Sequence, residues 1–282
     1  MSLRSAIVIA LACTVRGCGA ELAPSAAGLA CPRGHAFDRA RSGYVNLLQP
    51  HDRRSLDAGD SREAVSARRR LFASGLYAPW IEELGRALAD AGVERGARTL
   101  DVGCGEGSIL AALAERFELD AAGLDRSVHA VEAAARAHPS IAWIVANGDR
   151  RLPVRDGALD LVLSITARRS PNEFARVLRP GGRLLLAVPG ADDLAELRAA
   201  AMGSATDLAI HDPFAEFDTE FERSEARVFT HRVEVLAEQR ADLLIATYRG
   251  ARGREERVLA EGGARTVTLS WRVAVLVRSR RA

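Results

Sequence analysis

The chain of 282 residues has no lysine; all 39 basic side chains are arginine. It has no run of 18 apolar residues, so no membrane-spanning helix is expected. Its formal net charge is only +2, which excludes a simple polycationic coat for nucleic acid. Cysteine is scarce, at four, and three of the four fall within the first 31 residues, a poor plan for disulfides. Against these absences stands a 48% hydrophobic content, enough for a sizeable core in a main domain with one or two appendages. Arginine in place of lysine suits phosphate contact, because its planar fork donates to two oxygens at once.

The scarce cysteines are grouped with a histidine. Cys13-x4-Cys18-x12-Cys31-x3-His35 offers four soft or borderline ligands in two close pairs. Two facing knuckles of this kind build a tetrahedral Cys3His zinc site with every position filled, so the metal would be structural. A reducing, cytoplasmic location is expected. Cys104 stands apart and reads as small loop packing. Near the start, Arg4 and "AIVIALAC" resemble a short secretory signal, but the run is brief and reads better as a strand delivering Cys13 to the metal.

Residues 1–40 are expected to form a small metal-held module, too light in apolar side chains to make a core alone. Residues 41–98 read as an Arg-rich helical connector. Within it, Asp60 or Ser61 caps a helix bearing Arg68, Arg69 and Arg70, and a second helix spans about 79–92. From Thr99 strands and helices alternate at short spacing. "TLDVGCG", "DAAGLDRS", "IAWIVANGD", "LDLVLSIT" and "RLLLAVPG" are five strands, with helices between them. This predicts an α/β fold with a parallel, doubly wound sheet, running from 99 to 282. In the tail, "DLLIATYRG" and "RTVTLSWRVAVLVRS" read as further strands, the last extending the sheet antiparallel.

"LDVGCGEGS" (100–108) follows a strand and precedes a helix. Gly103, Gly105 and Gly107 let the backbone bend and a ligand approach closely, and the helix start offers N–H groups. Asp101 ends the first strand. Asp125 ends the second, where a carboxylate can accept both ribose hydroxyls, and Gly148-Asp149 ends the third, where an adenine would lie. Residues 99–190 therefore resemble the class I S-adenosylmethionine methyltransferases, with a Rossmann-like sheet. No G-x-G-x-x-G occurs, which argues against a dinucleotide.

A more specific resemblance covers the chain from about residue 13. Cys31-Pro32 through Leu47-Leu48, Gly59-Asp60-Ser61 with Glu63, Ala67-Arg68, Gly75, Tyr77, Pro79 and the 101–107 turn together resemble the RlmA-type 23S ribosomal RNA (guanine-N1)-methyltransferases. The resemblance implies zinc on Cys13, Cys18, Cys31 and His35. It implies S-adenosyl-L-methionine held by Tyr77, Asp101, Gly103, Cys104, Gly105, Glu106, Gly107, Asp125, Arg126, Gly148, Asp149 and Asp193. It implies large-subunit ribosomal RNA as partner, no membrane, and pairing as a homodimer. Arg33, Arg39, Arg41, Arg53 and Arg54 would meet phosphates. Guanine N1 carries a proton that a base should remove; Asp60, ahead of Glu63, is the candidate, although it could equally cap its helix. The chain departs from the family pattern at Leu76, at Thr166-Ala167-Arg168 and at Asp193-Leu194, all around one pocket. Two alternatives follow: a small-molecule methyltransferase, or a cofactor-binding RNA-associated protein whose acceptor pocket has decayed.

Overall fold

The computed structural model describes residues 9–50, 60–149, 151–167, 169–202, 212–247, 263 and 265–280. Arg4 of the signal-like segment, Arg53, Arg54, Gly59 and Arg168 lie outside the described residues.

Near the start, β1 (Ala23–Pro24), β2 (Gly28–Ala30) and β3 (Ala36–Asp38) form an antiparallel three-stranded ribbon. Then β4 (Val45–Asn46) leaves the ribbon and joins a second, larger sheet. The helices α1 (Arg62–Ala73) and α2 (Ala78–Asp90) follow. The alternating unit is β5 (Arg98–Val102), α3 (Ser108–Phe117), β6 (Asp120–Asp125), α4 (Val128–Ala137), β7 (Ala142–Val145), β8 (Leu159–Ile165), α5 (Pro171–Val177) and β9 (Leu178–Pro189). The tail holds α6 (Ala195–Met202), β10 (Phe221–Arg223), β11 (Arg227–Val235), α7 (Ala237–Thr247) and β12 (Arg265–Arg278).

Nine strands among the described residues make the large sheet, in the order β10-β12-β9-β8-β5-β6-β7-β4, with β11 also on β12. The six from β9 to β4 are parallel; β12 runs antiparallel to β9, as its alternating pattern suggests. Strands β5, β6 and β7 progress one way and β8 and β9 the other. The order therefore reverses between β5 and β8, and such a reversal opens a crevice at the carboxyl ends of the strands.

Two expectations need correction, and a third is narrowed. "DLLIATYRG" is not a strand: its described part ends α7. There Leu243 and Leu244 are buried and Asp242 pairs with Arg70 of α1, so helix-on-helix packing overrides the β-rich look of the segment. The 41–98 stretch is not wholly helical, because Val45–Asn46 is the parallel neighbour of β7 at the sheet's edge. Of the two expected caps for α1, the structure selects Ser61, whose hydroxyl accepts from the Ala64 N–H.

The ribbon is not a freestanding bead. Ala12 N donates to Pro153 O at 2.9 Å and Arg155 N to Ala10 O at 2.9 Å. Cys13, Leu22, Leu29, Cys31 and Phe37 share one buried cluster with Leu100 and Ile144 of the large sheet, Leu152 and Val154 of the β7–β8 loop, and Phe174 of α5. A ribbon too small for its own core thus takes part of the large domain's.

At the opposite, amino-terminal end of the strands, Asp160 accepts from Arg98 Nε (2.8 Å) and N (2.9 Å) and from Arg179 Nε (2.5 Å). The Arg98 bonds, followed by those of Arg179, hold this carboxyl well below the usual carboxylate range. Its contribution is present above pH about 4, where the unfolded group ionises, and is lost as pH falls toward the folded value. Asp160→Asn is expected to cost about 1 kcal/mol at pH 7, given the solvent around both arginines, and clearly less at pH 2. Urea midpoints at the two pH values check this.

Candidate active site

The crevice holds a cavity of about 390 Å³. Its floor is the glycine turn between β5 and α3. Gly103, Gly105 and Gly107 all have positive φ (83°, 56° and 81°), as a turn this tight requires. Asp125 is fixed beneath it: Oδ2 accepts from Gly105 N at 3.0 Å and Oδ1 from Ser127 N at 2.7 Å. Each oxygen keeps a second lone pair for a diol. Burial pushes the Asp125 carboxyl up despite these bonds.

One arginine organises the near wall. Arg68 of α1 donates from Nε to Glu106 Oε2 at 2.8 Å and from Nη2 to Asp60 Oδ2. The Asp60 carbonyl accepts from Ser127 Oγ at 3.0 Å. Asp60 therefore lines the cavity with its carboxylate already engaged, an arrangement that suits positioning better than proton removal. Asp101 is 3% exposed at the end of β5; burial, then Asp125 and Glu106, raise it to about 8. The far wall is Ile165, Thr166, Pro189, Asp193 and Leu194, from the carboxyl ends of β8 and β9. Tyr77, Trp80, Leu269 and Trp271 close the side, with the Trp80 and Trp271 rings stacked at 4.3 Å and 10°.

The cavity thus gathers Asp60, Tyr77, Asp101, Gly103, Cys104, Gly105, Glu106 and Asp193 of the expected residues. Asp125 and Gly107 support the turn without lining it. Arg126, Gly148 and Asp149 lie beyond, past the ends of β6 and β7, with Arg126 and Asp149 4.0 Å apart. Leu76 is buried in the core and Thr166 lies on the wall. Sequence reasoning missed Trp80, Leu269 and Trp271, and missed the bridging role of Arg68. An alternating strand signalled that Trp271 has a buried face, but nothing signalled that this end of β12 overhangs the glycine turn.

The donor set fits a cationic nucleotide-like ligand. Several carboxylates face the cavity or underlie it against one arginine, and the turn leaves room for close approach. S-adenosylmethionine, with a sulfonium and an ammonium, matches that chemistry. When bound it supplies an electrophilic methyl group, and the residues around it would orient it and exclude water.

Asp101 carries a stability cost. Its folded value lies above the unfolded one, so its contribution is favourable below pH about 4 and is lost as pH rises through about 8. Asp101→Asn is expected to melt higher than the parent by a margin that widens from pH 5 to 8, while binding the cofactor less well. Thermal melts across pH and titration calorimetry check both.

The four metal candidates converge. The ligand atoms of Cys13, Cys18, Cys31 and His35 lie within 4.8 Å of one another. His35 Nδ1 is 3.4 Å from the sulfurs of Cys13 and Cys31, and the Cys18 and Cys31 sulfurs are 3.9 Å apart. A tetrahedral zinc with Zn–S of about 2.3 Å spaces sulfurs about 3.8 Å apart, so the cluster fits the ion. Beside it a groove of about 880 Å³ runs between the Arg16–Gly19 knuckle and Asn147, Arg151 and Pro153, at the carboxyl end of β7. Of the expected phosphate contacts, Arg33 donates to Gly17 O and Arg39 to Gly43 O, each helping to shape a ribbon turn.

This fold is that of the class I methyltransferases, and residues 99–182 match the methyltransferase domain family. Residues 12–56 match the RlmA amino-terminal zinc ribbon. The chain carries both matches in this order, the zinc ribbon ahead of the methyltransferase domain. It is 47% identical over 183 residues to a Streptomyces fradiae protein named 23S rRNA (guanine(748)-N(1))-methyltransferase, covering 64% of each chain. It is 39% identical over 193 residues to a Micromonospora griseorubida protein provisionally named a 23S rRNA (guanine-N(1)-)-methyltransferase, covering 63% of this chain and 64% of that one. The matches thus span just under two thirds of these relatives' length. The crystal structure of the Bacillus subtilis YcgJ protein superposes with a TM-score of 0.52 at 16% identity, over 70% of this chain and 98% of that one, a likeness of fold.

Proposed function

We propose that the chain transfers a methyl group from S-adenosylmethionine to guanine N1 in large-subunit ribosomal RNA. The observation that carries this is that the groove beside the zinc ribbon reaches Ala146 and Asn147 at the carboxyl end of β7, the end of the parallel strands at which the cofactor cavity also lies. The relatives named for this reaction support it. In this reading residues 1–40 are the RNA-reading zinc module, 41–98 the connector and 99–282 the methyl-transfer domain. The RNA backbone would run along the ribbon, with the target base flipped into the cavity. The cofactor would lie over Gly103–Gly107, its ribose on Asp125, its adenine toward Gly148-Asp149 and its amino-acid end toward Arg68, Asp101 and Tyr77. Asp60 holds Arg68 in place. A cytoplasmic location and a homodimer around the RNA belong to the same proposal.

A methyl group on N1 blocks the Watson–Crick edge of guanine, so reverse transcriptase stops beside it. Primer extension on 23S RNA from a host with and without this chain should reveal one added stop at a guanine. No added stop, with the protein present and folded, would favour the small-molecule alternative.

A further inference from the structure

We infer that Asp193 is the general base that takes the N1 proton of the target guanine. The inference rests on the guanine-N1 reading above. Guanine N1 bears hydrogen, and its nitrogen pair is delocalised into the ring, so a proton acceptor must stand beside it when the methyl group arrives.

The other carboxylates of the site are already occupied or sit in the floor. Asp60 and Glu106 share Arg68. Both Asp125 oxygens accept backbone N–H groups. Asp101 lies under the glycine turn, on the cofactor's side. Asp193 stands on the opposite wall, at the end of β9. Its Oδ1 accepts from Ser270 N at 2.8 Å, and among the described residues no donor reaches Oδ2. One oxygen therefore anchors the side chain and the other is left to accept a proton.

The anchoring is unusually rigid for a loop. Gly190 N donates to Ser270 O at 2.9 Å, Leu194 N to Thr268 O at 2.7 Å, and Thr268 N to Glu196 Oε2 at 2.9 Å. The turn lies so close to β12 that a Cβ on Gly190 would come within 2.3 Å of Ser270 Oγ. Leu194 holds a left-handed φ of 50° within it. Strain maintained by surrounding bonds beside a cavity is a mark of functional positioning. Trp271 lines the same cavity, its ring stacked on Trp80. Tyr77, whose hydroxyl pKa is raised first by burial and then by Asp193, lines the same wall.

The step balances. The N1–H bond breaks and its proton passes to Asp193 Oδ2. The electron pair left on N1 forms the N1–CH3 bond, while the S–CH3 pair returns to the cofactor's sulfur. The proton then leaves to solvent. The charged groups acting on the carboxylate are Asp192 in its own turn and Glu196 and Arg198 of α6; Tyr77 at the start of α2 stands near enough to feel its charge, and β12 donates the Ser270 N–H. Burial is the largest influence and raises Asp193 to about 6, with Ser270 and Arg198 pulling down and Asp192 and Glu196 pushing up. A carboxylate so poised is ionised at neutral pH and more basic than an ordinary one.

Asp193→Asn keeps an acceptor for Ser270 and removes the base. Single-turnover methyl transfer to guanine is expected to fall about 10²–10³-fold, with S-adenosylmethionine affinity by calorimetry unchanged within about threefold. The wild-type rate should rise tenfold per pH unit to an inflection near 6 and then level; the Asn variant should lose that limb and Asp193→Glu should recover it, displaced. Apart from turnover, carboxyl NMR of aspartate-labelled protein should show one group titrating near pH 6 that vanishes in the Asn variant. The inference is overturned if the Asn variant stays within about threefold of wild type, or if cofactor affinity falls in step with rate, which would make Asp193 a cofactor ligand. Wild-type label found only away from guanine N1 would overturn the underlying reading as well, and that outcome is visible without any variant.

Discussion

Gly107→Ala is expected to abolish S-adenosylmethionine binding and to lower the melting midpoint by roughly 5–15 °C. Two costs coincide there. The residue has a φ of 81°, where a side chain costs about 1–2 kcal/mol. An added Cβ would also come within 2.2 Å of the Trp143 ring, which is 3% exposed and cannot swing away. Overpacking of this kind costs about 1–3 kcal/mol. Because Gly107 caps α3, any relief must move the turn that would cradle the cofactor. Calorimetric titration and a thermal melt measure the two effects, and a variant that binds normally would show that the turn does not contact the cofactor. Ser108→Ala, at the next position, should leave both within error.

The second large effect concerns the metal. Removing zinc by chelation, or Cys31→Ser, is expected to unfold the ribbon and to destabilise the sheet with it. Cys13 and Cys31 sit in the same buried cluster as Ile144, Leu152 and Val154. Burial pushes the Cys13 thiol up to about 12, so without a cation it would stay protonated and the knuckles would lose what draws them together. The bridge between Leu11 and Val154 and the Ala12–Pro153 hydrogen bond would then loosen. Hydrogen exchange should show protection lost at β4 and β7 as well as in the ribbon, with cofactor affinity falling at least tenfold. A ribbon that melts alone, leaving β7 protected, would mean that the two parts are energetically separate.

Much of this could be read from residues alone, and the reasons differ by region. The alternation from Thr99 onward is legible because buried parallel strands are continuous apolar runs and the helices between them are amphipathic. The metal set is legible because four ligand-type residues in so few positions have little other use. The glycine turn places its own neighbours, so Asp101, Cys104 and Glu106 come with it. What is not legible depends on long-range packing. Arg68 looks like one of three consecutive arginines on a helix, and only the fold brings it to Glu106, 38 positions away. Asp193 looks like one of two acids in a turn, and only pairing with Ser270, 77 positions away, singles it out from Asp192. The α7 segment misleads because its β-branched and aromatic residues suggest a strand, whereas its partner is a helix.

The central claim is tested most directly by product chemistry. Purified protein would be incubated with methyl-labelled S-adenosylmethionine and unmodified large-subunit ribosomal RNA, and the RNA digested to nucleosides. The account predicts label in 1-methylguanosine, at one site per molecule. Label in another nucleoside, or none while calorimetry shows the cofactor bound, would contradict it.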